Sequence, residues 1–406
     1  MYSVKRNRVC QGGFPENTSH LISSTGKKHR GQVPGNIILK VMIKRHNPPH
    51  RRRRINTGGR LMSMRKIPAT TILFAAAALF FSATCRADEY IDRLFATPSA
   101  AELDAVWEAT QYEPKCVDFK IGEVYKETDW FTINYITYTS DGYRQTGIFA
   151  RPRGEGKFPL VMMNHAGFSG ISLYEVRESE EFLARGYAVA IATYRGEGGV
   201  AGKAEGPMDV LGNEAHDILN LMECAAADPA VDPERIAMFG TSHGGGLTVA
   251  ALARTGRVKV AATLAAPLNL TGPGIKRMAE DWKAQPTRVE VILQILVTRE
   301  GIRILKNVFG VKDQDAGKIP ERRVELMRRS AALFADRIKA PLYMYVGAED
   351  PVAHEEDGET VAQALKAGNI ESKITVFQGE AHAIKPESAA GAREEIYELF
   401  SRVLKK

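Results

Sequence analysis

Residues 235–254 restrict the fold more than any other stretch of the chain. Arg235-Ile236-Ala237-Met238-Phe239 reads as a short buried strand, and Gly245 to Arg254 as a helix of small and apolar residues. Between them stands Gly240-Thr241-Ser242-His243-Gly244, which fits G-x-S-x-G. A strand that turns sharply into a helix with Ser at the apex lifts the hydroxyl into a strained, exposed position, a nucleophile elbow. The flanking glycines let strand and helix approach where a Cβ would clash. The motif indicates a reaction class, not a substrate.

A serine hydroxyl is a poor nucleophile near neutral pH; it needs a general base, and the base needs an orienting acid. In α/β-hydrolases the chain order is Ser, then Asp or Glu, then His, each following a strand. Leu342 to Val346 is strand-like and leads into Gly347-Ala348-Glu349-Asp350-Pro351; Lys373 to Phe377 is another and leads into Gly379-Glu380-Ala381-His382. Asp350 and His382 are therefore the expected partners of Ser242. Glu349, Glu355, Glu356 and Asp357 compete for the acid role, and Asp350 is preferred for its place two to three residues past the strand end. An oxyanion needs N–H donors. One is the backbone N–H of His243, whose ring has no assigned task. The other is Gly167 or Ala166, in the Asn164-His165-Ala166-Gly167-Phe168 loop after the strand Pro159 to Met163. His165 reads as a structural hydrogen bonder. Arg195 and Glu197 read as ion-pair or turn residues rather than substrate contacts.

These residues resemble the catalytic domain of the prolyl oligopeptidase family of serine hydrolases and, more loosely, dienelactone hydrolase. The resemblance rests on His165-Ala166-Gly167, Tyr194-Arg195-Gly196-Glu197-Gly198, Asp232-Pro233-Glu234-Arg235-Ile236, the Gly240 to Gly245 motif, Gly347 to Asp350 and Gly379 to His382, from about residue 130 to the C-terminus. It implies a triad of Ser242, Asp350 and His382, oxyanion donors Gly167 and His243, and a small ester or peptide substrate. The stretch before the resembling region is far shorter than the β-propeller with which prolyl oligopeptidases filter peptides. Dienelactone hydrolase would place Cys at position 242, where this chain has Ser.

The net charge of +7 is unevenly spread. Residues 1–87 hold 17 Lys and Arg against one acid, Glu16, which leaves about −9 for residues 88–406. A nucleic-acid partner is therefore not expected. Arg65-Lys66, the apolar run Ile72 to Phe81 and Cys85-Arg86-Ala87 form the basic, apolar and small-residue regions of a signal peptide spanning 62–87, with Asp88 as the mature N-terminus. The apolar run is short for a membrane span. The expectation is thus an exported protein, periplasmic or extracellular, without stable membrane insertion. Residues 1–61, basic and without periodicity, lie ahead of that leader: either translation starts at Met62 or Met64, or they are a disordered basic arm. Cys116 and Cys224 are the cysteines of the mature region, either bridged or two buried thiols. No Cys/His spacing suggests a metal, and the turn at Gly198 lacks the strand and helix of a dinucleotide site, so neither cofactor nor metal is expected.

From residue 88 to 120 the chain reads as a short helical segment, opened by the Ser99-Ala100-Ala101-Glu102 capping box with Leu103, Val106 and Trp107 on one face. A hairpin at Asp141-Gly142 starts the catalytic domain, 121–406, and strands then alternate with helices. The fold class is α/β: an α/β-hydrolase with a mostly parallel central sheet and helices on both faces. Residues 269–338 are long for one connection. Helical patterns at Val289 to Leu305 and Arg322 to Phe334 suggest a cap over the site. Trp282, Ile292, Leu296, Ile304 and Phe309 could line an acyl pocket, although most of them suit ordinary packing.

Overall fold

The computed structural model describes residues 88–290 and 298–405. The extension at 1–61, the leader at 62–87, and Ile292 and Leu296 lie outside the described residues. Two short helices come first, α1 (Glu89–Leu94) and α2 (Ala100–Ala109). The Ser99 capping box is present: its side chain accepts the Glu102 N–H, and the Glu102 carboxylate accepts the Ser99 N–H at 2.9 Å. Strands β1 (Lys120–Glu127), β2 (Phe131–Ser140) and β3 (Tyr143–Pro152) form an antiparallel meander. The β2–β3 turn is Asp141-Gly142, both at positive φ, as a two-residue hairpin loop requires.

The chain then alternates: β4 (Phe158–Asn164), α3 (Leu173–Ala184), β5 (Ala188–Ala192), α4 (Glu214–Ala226), β6 (Val231–Thr241), α5 (His243–Leu252) and β7 (Val258–Leu264). After β7 come α6 (Pro273–Ala284), α7 (Arg299–Phe309) and α8 (Ile319–Arg328). They are followed by β8 (Leu342–Gly347), α9 (Glu355–Ala367), β9 (Ser372–Phe377) and α10 (Pro386–Leu404). The nine strands form one sheet in the order β1-β2-β3-β5-β4-β6-β7-β8-β9. From β5 to β9 every pairing is parallel. Parallel strands need crossovers, which place helices on both faces, and both faces are then buried. β4 and β5 are accordingly apolar almost throughout. One core, including Leu160, Met162, Ile218, Met238 and Leu247, lies on the face covered by α4 and α5; the other, including Val161, Phe182, Phe239, Ile396 and Phe400, lies under α3 and α10.

The region between β7 and β8 is helical over much of its described length; residues 291–297, inside the Val289 to Leu305 pattern, lie outside the described residues. α7 begins at Arg299 because the Thr298 side chain accepts the Gly301 N–H, and it ends at Gly310 in the left-handed conformation. The pattern at Arg322 to Phe334 is broken after Arg328, and a 3-10 segment, Ala331–Arg337, follows. The N-terminal helices pack on this region: Arg322 donates to Tyr90 Oη at 2.7 Å, and Arg323 forks onto Glu102 at 2.9 and 3.1 Å.

Cys116 and Cys224 are disulfide-bonded, which decides between the bridge and two buried thiols. The bridge ties the segment entering β1 to α4 across 108 residues of sequence. Closing so long a loop removes much of the unfolded chain's freedom, so its loss costs roughly 2–4 kcal/mol. Residues 88–406 are expected to show no thiol reactive to a thiol reagent after denaturation. A Cys116→Ala/Cys224→Ala protein should unfold at a lower temperature than the oxidised parent. An unchanged melting temperature would contradict the bridge.

Candidate functional site

Ser242 sits between the last residue of β6 and the first of α5 at φ 51°, ψ −119°. Non-glycine residues avoid that conformation, and holding one there costs of order 1–3 kcal/mol. The surroundings enforce it. The Ser242 N–H donates to Leu264 O at 2.8 Å, and the Asn164 amide donates to Thr248 Oγ1 at 2.7 Å, bracing α5 against the end of β4. A Cβ at Gly240 would run into Gly244 O, and one at Gly244 into Asn164 O. The turn can be this tight only because both positions are glycine.

The structure brings the three distant sequence candidates together. Ser242 Oγ lies 2.8 Å from His382 Nε2, and His382 Nδ1 lies 2.8 Å from Asp350 Oδ2. Nδ1–H must donate to the carboxylate, which leaves Nε2 to accept from the serine hydroxyl. Asp350 follows the end of β8, with its side chain buried. Its other oxygen accepts the Val352 and Ala353 N–H groups, both at 2.8 Å, so the carboxylate cannot swing away from His382. Of the competing acids, Glu349, Glu355 and Glu356 line a surface pocket that Asp350 also borders, Asp357 bonds Asn269, and none of the four hydrogen-bonds His382 among the described residues. His382 is contacted by Asp350 alone among them.

His243 is the first residue of α5, where a backbone N–H has no acceptor within the helix. Gly167, at φ 70°, lines the same cleft as Ser242. The Ala166 N–H points to Glu175 Oε1 at 3.4 Å, whereas the Gly167 N–H has no hydrogen-bond partner among the described residues. That difference favours Gly167 over Ala166 as a donor position.

The expectation that His243 offers only its backbone needs correction. Its buried ring lies between Gly167 O, 2.9 Å from Nδ1, and Glu214 Oε2, 2.8 Å from Nε2. Gly167 O accepts at Nδ1 and the Glu214 carboxylate accepts at Nε2, where the Leu211 N–H also approaches at 3.4 Å but bonds Glu214 Oε2 more closely at 2.9 Å, so the arrangement favours a ring protonated on both nitrogens. Burial opposes that charge, but the Glu214 carboxylate outweighs it, and the pKa is raised to about 9. Phe168 stacks on the ring with centroids 4.3 Å apart. The ring thus ties the Gly167 loop to the helix that follows Ser242. Nothing in sequence marks Glu214; an acid in the first turn of a helix is ordinary, and its meeting with His243 is purely tertiary.

Glu197 accepts the Gly170 N–H at 2.9 Å and is buried beside Glu214; burial raises its pKa to about 8, so it keeps a proton at neutral pH. His165 is held neutral, its pKa lowered by burial to about 3, with Nδ1–H donating to Ala166 O at 3.1 Å. Arg195 forks onto Asp217 at 2.7 and 3.0 Å and reaches Asp141 at 2.8 Å, a structural ion pair as its sequence context suggested. Among the described residues, Glu197, Glu214 and His243 come within 4.8 Å of one another, a spacing that could suit a metal. However, His243 and Glu214 already bond directly, and the ring's other nitrogen is taken by Gly167.

Two recesses meet at Ser242. One is an open cleft of about 570 Å³ lined by Gly167, Tyr174, His382, Ile384, Pro386 and Arg393, among others. The other is a small apolar pocket of about 60 Å³, closed by Phe168, Leu211, Ile275, Met278, Leu305 and Phe309. Of the apolar residues singled out between β7 and β8, Phe309 lines this pocket. Trp282 packs behind it with centroids 6.1 Å apart, and Ile304 faces a different surface groove.

The His243 charge gives stability a pH dependence. Its pKa is raised from 6.5, so its contribution is fully present below pH 6.5 and lost as pH rises through about 9. Glu197, raised from 4.5 to about 8, acts in the same direction. The melting temperature of residues 88–406 should therefore fall from about pH 6.5 to about pH 9, with a shallower fall in His243→Gln. Equal slopes in the two proteins would remove the charged His243 from the account.

The family model for X-Pro dipeptidyl-peptidase (S15 family) matches residues 141–277, and that for the dienelactone hydrolase family matches residues 328–404. Dipeptidyl aminopeptidase BIII of Pseudoxanthomonas mexicana is 26% identical over 241 residues, 58% of this chain and 32% of that protein. Acetyl xylan esterase 1 of Thermoanaerobacterium sp. JW/SL YS485 superposes with a TM-score of 0.53 at 20% identity, over 77% of this chain and 93% of that one. The acylaminoacyl peptidase of Pyrococcus horikoshii superposes with a TM-score of 0.52 at 21% identity, over 68% of this chain and 42% of that one. The chain spans about a third of the length of the curated peptidases it matches. By its sheet order, its elbow and these likenesses, the chain has the α/β-hydrolase fold and is similar in sequence to dipeptidyl and acylamino-acid-releasing peptidases.

Proposed function

We propose that this chain is an exported serine hydrolase that cleaves ester or small peptide and amide bonds through an acyl-enzyme. The observation that carries the reading is the unbroken hydrogen-bond line from Ser242 Oγ through His382 to buried Asp350, starting from a serine held at φ 51°. Ser242 Oγ attacks the carbonyl carbon as His382 Nε2 takes its proton. The resulting oxyanion is met by the backbone N–H groups of His243 and Gly167. His382 then gives that proton to the leaving group, and the carbon–heteroatom bond breaks. Water repeats the sequence on the acyl-enzyme, with His382 as base, and frees the acid and Ser242. Asp350 fixes the imidazole tautomer and stabilises the imidazolium without taking the proton.

The likeness to dipeptidyl and acylamino-acid-releasing peptidases supports amide cleavage, and the fold shared with an acetyl xylan esterase keeps ester cleavage beside it. The helices between β7 and β8 act as a cap, supplying Ile275, Met278, Leu305 and Phe309 to the small pocket. Export is supported by the basic, apolar and small-residue pattern at 62–87 and by the Cys116–Cys224 bridge, which suits an oxidising compartment.

A fluorophosphonate should label Ser242 in residues 88–406, and labelling should collapse in His382→Ala. Asp350→Asn should lower kcat by about 10⁴-fold with the fold intact, because the wrong imidazole tautomer then faces Ser242. Labelling at a different serine, or unchanged labelling in His382→Ala, would refute the assignment. Paired p-nitroanilide and p-nitrophenyl substrates with the same acyl group separate the two activities: a peptidase turns over both, an esterase the ester alone.

A further inference from the structure

The open cleft has a built cation in a wall that is otherwise apolar. Pro386, Ala389 and Arg393 line it from one face of α10, at helical spacings of three and four. Arg393 lies two turns beyond Pro386, about 10 Å along the axis. Helical side chains lean toward the N-terminus, here toward the His382 loop. The guanidinium is preorganised: Nε donates to buried Glu178 at 2.6 Å, and an Nη group bonds the Tyr174 hydroxyl. Two of its five N–H groups are thereby used, and the rest have no partner among the described residues. Burial disfavours its charge, but the Glu178 carboxylate outweighs that, so Arg393 is held firmly protonated.

The wall belongs to the leaving group. His382 must deliver its proton to the departing atom, and Ala383, Ile384, Pro386, Ala389 and Arg393 continue the chain from His382 along the open cleft. The small pocket on the cap side is narrower than the cleft and apolar, and suits the acyl group. A fixed planar guanidinium beside a phenol matches a carboxylate, which it can grip with two parallel N–H bonds.

We propose that Arg393 and Tyr174 form a subsite for a leaving group that ends in a carboxylate. The chain then favours substrates that release an amino acid or short peptide with a free C-terminus, or the corresponding hydroxy acid. This rests on reading Ser242 as the nucleophile, so the test separates binding from turnover.

Ser242→Ala protein is titrated calorimetrically with N-acetylated tripeptides ending in alanine, as free acids and as C-terminal amides, together with ester analogues at the scissile position. The free acids are expected to bind about 10-fold tighter, as a charge-assisted hydrogen bond implies. The preference should shrink to about 1 when Arg393→Met is added, and shrink partly with Tyr174→Phe. Because Arg393→Met strands buried Glu178, Glu178→Gln/Arg393→Met is run beside it with a melting curve. In wild-type protein the acid-to-amide ratio of kcat/KM should follow the binding ratio, and the peptide and ester series show which bond the subsite serves. Equal binding of acid and amide, or a preference that survives both Arg393 variants, would overturn the subsite. A carboxylate preference in binding without Ser242 labelling or turnover would uphold the subsite and remove the nucleophile.

Discussion

The whole arrangement depends on how closely α5 approaches the end of β6. Ser242 is held in a backbone conformation that disfavours any side chain, and glycine at 240 and 244 permits it, because a Cβ at either position would run into a backbone oxygen. The tight turn does two things at once. It brings the hydroxyl to His382, and it leaves the first N–H of α5 beside it without an acceptor inside the helix. Strain at one residue is stable here because the parallel strands on either side, β4 and β7, are hydrogen-bonded along the length of β6.

Charge burial shapes the other side of the site. A lone carboxylate or imidazolium under the sheet's edge would be costly, by several kcal/mol per ion. The chain meets this by pairing: Glu214 with His243, Arg195 with Asp217, and Glu178 with Arg393. Glu197 instead keeps its proton. Two of the pairs do more than cancel charge, and Glu197 adds a hydrogen bond of its own. His243 fixes the carbonyl of Gly167, Glu197 fixes the N–H of Gly170, and Arg393 spans from α10 to α3. The site's supports are ionic and buried on one side and apolar on the other.

The helices between β7 and β8 contribute shape rather than chemistry. Ile275, Met278, Leu305 and Phe309 close the small pocket, and Trp282 backs Phe309. The N-terminal helices in turn brace this region through Arg322 and Arg323, and the Cys116–Cys224 bridge anchors the segment that leads from them into the sheet.

The sequence alone determined the strand-turn-helix around Ser242, the alternation that makes a parallel sheet, and the order Ser242, Asp350, His382. These are local: periodicity, glycine placement and a polar residue just past a strand end can be read without knowing which strand lies beside which. The capping box at Ser99 was legible for the same reason. Tertiary structure decided the rest. The break after Arg328 ended a helix that its apolar pattern would have continued, and the disulfide depended on two segments 108 residues apart meeting. The ring of His243 found Glu214 across 29 residues, and Arg393 reached Glu178 across 215. No spacing rule encodes such meetings, because they follow from which faces of separate helices the sheet brings together.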